Sequence, residues 1–171
     1  MTPDHPVWTG SVDQRRPIES ETPMSTTIAP LTQADRQDWD PLWAGYLTFY
    51  EHELTEQQSD LTFSRILDPE YPMYGAIARD QSGRAIGIVH WLTHPSTWSD
   101  EPYTYLEDLF VAPDVRRSGT GQSLIDHVLD WTRQHKLPKV YWQTARDNAT
   151  ARALYDKIAA NDFVVYEVEL T

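Results

Sequence analysis

Two adjacent carboxylates, Glu107 and Asp108, sit inside the apolar run "YTYLEDLFV". Acids in such a run are costly unless they are paired or open onto a cleft. Neighbours on a strand point to opposite faces. That puts Glu107 with Tyr105, Leu109 and Val111, and Asp108 with Leu106 and Phe110. A carboxylate at a cleft can take a proton from a substrate. The competing reading is a structural acid bonded to neighbouring donors. Just downstream, Arg116-Arg117-Ser118-Gly119-Thr120-Gly121 opens into the amphipathic stretch "QSLIDHVLDWTRQHK".

A strand that feeds a glycine-containing turn and then a helix has the layout of a phosphate site. The first helical N–H groups lack internal partners and carry partial positive charge. Glycine lets the backbone come close to an anion. Arg116 and Arg117 add formal charge. The spacing is neither the Gly-x-Gly-x-x-Gly of dinucleotide folds nor a Walker A loop. By itself the hexapeptide also fits an ordinary turn before a helix.

Further on, Asn148 and Tyr155 stand two helical turns apart, on a stripe that includes Ala151. Tyr155 there reads as a core aromatic or as a cleft residue. His90 and His94 invite a metal reading, but on a strand their Cα atoms lie ~13 Å apart, too far for one ion. No metal site is expected. With no cysteine in the chain, disulfides, thiolate-bound zinc and thiol nucleophiles are excluded.

Periodicity supplies the elements that would position these residues. A short strand ends at Pro30, and Thr32 with Asp35 reads as a capping box. Helices are expected over 33–51 and 61–68, and strands over 74–80 and 85–94 about the turn Gln81-Ser82-Gly83-Arg84. A long strand over 103–111, a helix over 121–136, a strand over 139–145, a helix over 148–159 and a closing strand over 163–170 complete the series. The order β-α-α-β-β-β-α-β-α-β predicts an α/β fold with a mixed, partly antiparallel sheet and helices on both faces. Residues 1–24 are polar and lack periodicity, so they read as an extension outside a single domain over 25–171, with Met24 a candidate internal start.

The formal net charge of −12 argues against nucleic acid as a partner and would draw in cations such as amines. No run approaches the length of a membrane span. With the missing cysteines, this fits a cytoplasmic protein.

Arg116-x-x-Gly119-x-Gly121, placed after "LEDLFV" and before "SLIDHVL", resembles the signature of the GNAT superfamily of acetyl-CoA-dependent N-acetyltransferases. "NATARALYDK" resembles that family's next helix, and the likeness spans residues 25–170. "YLEDLFV" followed by "RRSGTG" is similar to the spermidine/spermine branch and to the yeast histone/polyamine acetyltransferases. The resemblance implies a sheet with helices on both faces and acetyl-CoA as co-substrate. It places the pyrophosphate on Arg116, Arg117, Ser118, Gly119, Thr120, Gly121 and Gln122. The pantetheine arm would run along Leu109, Phe110 and Val111, with Asn148 and Tyr155 also touching the cofactor. By the same resemblance Glu107 is the general base and Tyr155 the acid that serves the departing thiolate. Asp108 would help bind the amine. The sequence departs from the family at Arg117, which replaces a Gly, at Ser118, which replaces a Lys, and at Asn161-Asp162, where a Gly is usual. The family's common final strand after 163–170 is missing.

In this fold the acceptor enters near segments that here carry Glu51, Glu53, Trp98 and Tyr103. Acids with aromatics suit an organic cation. The expected activity is acetyl transfer to the primary amine of a small cationic compound that is polyamine-, diamine- or lysine-like, with a protein lysine ranked second. The alternatives are detoxification of an amine antibiotic or an amino acid, and a non-catalytic acyl-CoA-binding module. A homodimer is implied by the resemblance.

Overall fold

A computed structural model of the chain describes residues 26–170. The expected extension over 1–24, with its boundary to the domain, lies outside the described residues. Five strands form one sheet in the order β1-β2-β3-β4-β5: Thr27–Pro30, Met73–Arg79, Ala85–Ser96, Ser99–Val111 and Val140–Trp142. The first four are antiparallel, and β5 joins β4 in parallel. The helices are α1 (Arg36–Phe49), α2 (Glu56–Leu67), α3 (Thr120–Gln134) and α4 (Ala149–Tyr155).

Two apolar layers hold the sheet. On one face, α1 and α2 bury Trp39, Leu42, Trp43, Phe63 and Ile66 against Ile77, Ile88 and Phe110. On the other, Leu124, Ile125 and Val128 of α3 cover Ala76, Val89, Trp91 and Leu106. The helix boundaries reflect local chemistry. The Thr32 N–H donates to Asp35 Oδ2 at 2.9 Å ahead of α1, and the Thr55 hydroxyl accepts from the Gln58 N–H at the start of α2. At Gly45 a Cβ would lie 2.7 Å from the Phe110 ring, so glycine lets α1 press against β4. The next residue on α1, Tyr46, thereby comes beside Asp108.

Two features of β4 set the geometry around its acids. It pairs with β5 only at Thr104, Tyr105 and Leu106, so residues 107–111 have an open edge on that side. Its register with β3 also slips: Trp91 lies opposite Leu106 but His90 opposite Asp108, leaving Glu107 in a β-bulge.

The bulge corrects the alternation read from the sequence. Leu106 packs into the α3 layer, whereas Asp108 bonds to His90 on the α1 side, so the two do not share a face. The expected closing strand over 163–170 is also corrected. Residues 160–170 form no strand, and Phe163, Tyr166 and Leu170 are exposed. The alternating run supplies strand propensity, but a strand needs a partner edge, and the ladder at β5 is only three residues long.

Candidate active site

Glu107 and Asp108 lie where β4 parts from β5, and their surroundings differ. Asp108 is nearly buried. Its Oδ2 lies 2.9 Å from His90 Nδ1, and it accepts the Tyr46 hydroxyl. Burial and the Asp108 charge push the Tyr46 phenol far up, so it stays a donor. Glu107 is open to solvent on one side. Neighbouring atoms displace enough water to raise its carboxyl above the usual range, and repulsion from Asp108 adds to this.

Tyrosines from four elements gather near this end of β4. Tyr105 and Tyr141 meet across β4 and β5 as tilted rings with centroids 4.9 Å apart. Burial, reinforced by Glu107, pushes Tyr105 up to about 12. Tyr50 at the end of α1 is paired with the Thr144 hydroxyl, and Thr144 Oγ1 accepts from Asn148 Nδ2 at 3.2 Å. Tyr155, on α4, packs edge-on against Trp142 at 5.4 Å. Burial, then the nearby Tyr50, pushes it up to about 12, so its hydroxyl is protonated at neutral pH.

The helix mouth is built as the glycines suggest. Gly119 has φ +88, and the first helical bond runs from the Ser123 N–H to the Gly119 carbonyl at 3.0 Å. The N–H groups of Thr120, Gly121 and Gln122 therefore have no partner within α3, and its first turn holds no acid. Ser118 Oγ lies 2.8 Å from Thr120 Oγ1. A Cβ at Gly121 would sit 3.7 Å from Leu154 and 3.8 Å from Val111, in the gap between α4 and β4. Arg117, where the family has glycine, takes φ +69, the left-handed region that glycine adopts without strain. Arg116 reaches back to the Val111 carbonyl at 3.4 Å and lies over the Phe49 ring. Free helical N–H groups beside the open edge of Leu109, Phe110 and Val111 fit a ligand that has phosphates at one end and an amide-bearing arm at the other.

The remaining expected residues are placed differently. Asn148 is the N-cap of α4 rather than part of its stripe, its Oδ1 accepting from the Ala151 N–H at 3.2 Å. Glu51 and Glu53 are exposed in the α1–α2 loop. Trp98, 91% exposed, is in the turn between β3 and β4, far along the strand from Glu107. Tyr103 lies under Lys139 and edge-on to His94, farther down the wall from Tyr105. Sequence reasoning missed Trp39, Tyr46 and His90. The last was weighed only as a metal ligand. Among the described residues no cluster of three or more metal-ligating side chains occurs. An open cleft of about 690 Å³ between α1 and the ends of β3 and β4 contains none of Glu107, Asp108 and Tyr155.

A family model, the Acetyltransferase (GNAT) family, matches residues 37–159. The chain belongs to this family. A D-amino-acid N-acetyltransferase of Saccharomyces cerevisiae is 36% identical over 82% of this chain and 88% of its own length. A mycothiol acetyltransferase of Clavibacter michiganensis is 31% identical over 91% of this chain, which spans 49% of that protein. Among solved structures, AAC(6')-Iy in complex with the bisubstrate analogue CoA-S-monomethyl-acetylneamine superposes with a TM-score of 0.73 at 18% identity, over 86% of this chain and 99% of that one. Such distant likeness speaks for the fold, and the GNAT fold is the one observed. The protein is an acyl-CoA-dependent N-acetyltransferase of a family that uses acetyl-CoA.

The gap beside Gly121 offers a direct test of whether CoA lies along this groove. Gly121→Ala should fold normally, because its Cβ makes only ordinary contacts. Gly121→Val adds methyl groups in the gap and should weaken CoA binding by about 10- to 100-fold, the scale of an overpacked contact. Calorimetric titration of both variants with CoA checks this, and wild-type affinity in the valine variant would remove CoA from the groove.

Proposed function

We propose that this acyltransferase moves the acetyl group of acetyl-CoA to the primary amine of a small cationic substrate that is polyamine-, diamine- or lysine-like, by direct attack. The observation that carries the reading is the bulge, which sets an accessible carboxylate with a raised pKa beside a buried, ionisable one within a wall of tyrosines. Residues 25–171 are read as one catalytic domain. A homodimer belongs to the proposal by resemblance alone, and a cytoplasmic location by the missing cysteines and the lack of a membrane-length apolar run.

Acetyl-CoA, when bound, supplies the acetyl thioester. The free N–H groups of α3 and the open edge of β4 would hold it. Asp108 would attract the acceptor ammonium. Glu107 would take the proton that the amine must lose before its lone pair can form the N–C bond. Tyr155 would face the sulfur as the C–S bond breaks, its hydroxyl donating to the departing thiolate. The negative net charge would raise the local concentration of a cationic acceptor.

A second reading takes an amino acid as acceptor, favoured by the relative named for D-amino acids. Such a substrate brings a carboxylate that needs a counter-charge. Lys139, over Tyr103 and Tyr141, is a cation on this wall. Thiol release from acetyl-CoA over a panel of diamines, polyamines and D- and L-amino acids separates the readings. Highest kcat/KM for the diamines and polyamines is the expected result. Preference for amino acids would replace the first reading with the second. Binding of CoA without turnover on any amine would leave a non-catalytic module.

A further inference from the structure

Beneath Asp108 lies a buried chain of hydrogen bonds that the proposed reaction does not use. The Trp39 indole N–H donates to His90 Nε2 at 2.9 Å, and His90 Nδ1 lies 2.9 Å from Asp108 Oδ2. Trp39 and His90 are 0% and 2% exposed. An indole nitrogen is only a donor. His90 Nε2 therefore accepts and carries no proton, so the proton of the neutral ring is on Nδ1 and is donated to Asp108.

We propose that Trp39 and His90 are positioning residues for the acceptor amine: the indole fixes the tautomer of the imidazole, and the imidazole N–H holds the Asp108 carboxylate at the floor of the cleft. The assignment rests on the reading of the acceptor as an amine. A proton on Nε2 would face the Trp39 N–H, two donors in a dry site, so the tautomer with its proton on Nδ1 is the one held. His90 is thus a dead end for protons rather than a relay, and the ammonium proton is left to Glu107. The titratable groups around the ring are few. Asp108 meets it from β4, with Tyr46 and Glu107 beyond. Helix α1 presents Trp39 and Trp43, and β2 presents Gly75.

The lock can be read on the protein alone by ¹⁵N NMR of the histidine rings. The expected spectrum at neutral pH shows His90 Nε2 as an unprotonated nitrogen and Nδ1 as a protonated one. A proton on Nε2 would overturn the lock. Trp39→Phe keeps an aromatic ring and removes the donor. In it the Nε2–H tautomer becomes accessible, so the acceptor KM should rise while kcat changes less.

Removal of a large buried indole can itself disturb the fold, so a second pair of variants carries the positioning claim. His90→Asn can keep an N–H on Asp108, its Nδ2 falling where Nδ1 was, whereas His90→Leu keeps no donor. The asparagine variant should stay near the wild-type acceptor KM, and the leucine variant should raise it about tenfold or more, the scale of a charge-assisted bond. Equal KM in both would overturn the positioning role. A panel of inactive amines beside an intact NMR lock would instead remove the acceptor reading on which the role rests.

Discussion

Tyr155→Phe lowers kcat by about 10²-fold or more and leaves the affinity for acetyl-CoA nearly unchanged. The variant keeps the ring that packs edge-on against Trp142, so the groove between α4 and β4 keeps its shape. Only the hydroxyl is lost. Burial lifts that hydroxyl to about 12, well above a thiol reference near ~8.5. Full proton transfer from Tyr155 to a solvated thiolate would therefore run uphill. The group serves best as a donor that stabilises charge gathering on sulfur, completing transfer only as far as the same apolar burial raises the thiolate. Because Tyr155 remains protonated below about 12, the wild-type kcat should show no loss from its ionisation in the neutral or mildly alkaline range. Single-turnover kinetics with and without the hydroxyl measures the effect. Full activity of the phenylalanine variant would leave solvent as the proton donor.

The sequence shows the helix-mouth site more clearly than it shows the carboxylates. Gly119 and Gly121 mark a turn whose backbone demands are local, and the amphipathic run after them locates α3 without any tertiary information. The carboxylates depend on register. Starting from the β3–β4 turn, the pairs His94–Tyr103, Thr93–Thr104, Leu92–Tyr105 and Trp91–Leu106 run in step. Continuing that step puts His90 opposite Glu107. The bulge gives it Asp108 instead, and so decides which acid is buried and which faces the cleft. No residue type announces that slip, because a bulge outside the left-handed region needs no glycine.

Other differences have similar causes. Trp39 and Tyr46 are aromatic positions of the helix α1, but the polar tip of each finds a partner on a strand, His90 of β3 and Asp108 of β4. Asn148 sits at a helix boundary, where a shift of one residue turns a stripe position into a cap. "FVVYEVEL" has strand periodicity, yet periodicity cannot supply the edge on which a strand must pair.

Glu107→Gln should separate base from scaffold through pH. In the wild type the acid limb of kcat/KM should lie above the ordinary carboxylate range, because loss of water and then the Asp108 charge raise Glu107. The glutamine variant should lose about 10²- to 10⁴-fold near neutral pH, the usual contribution of a positioned base. The deficit should shrink as pH approaches the amine's own pKa of ~10.4, where free amine no longer needs a base. Stability should move the other way. A carboxyl with a raised folded-state pKa stabilises the fold below its unfolded pKa, and that contribution is lost as pH rises through the folded value. At neutral pH the ionised Glu107 gives the fold no such support, so replacing it with a neutral isostere should hold Tm steady or raise it. Any gain should vanish in acid, where wild-type Glu107 is protonated too. Activity and Tm tracked together across pH make the test. A structural acid would show the opposite pair, with activity falling equally at every pH and Tm dropping at neutrality, and that result would take Glu107 out of the chemistry.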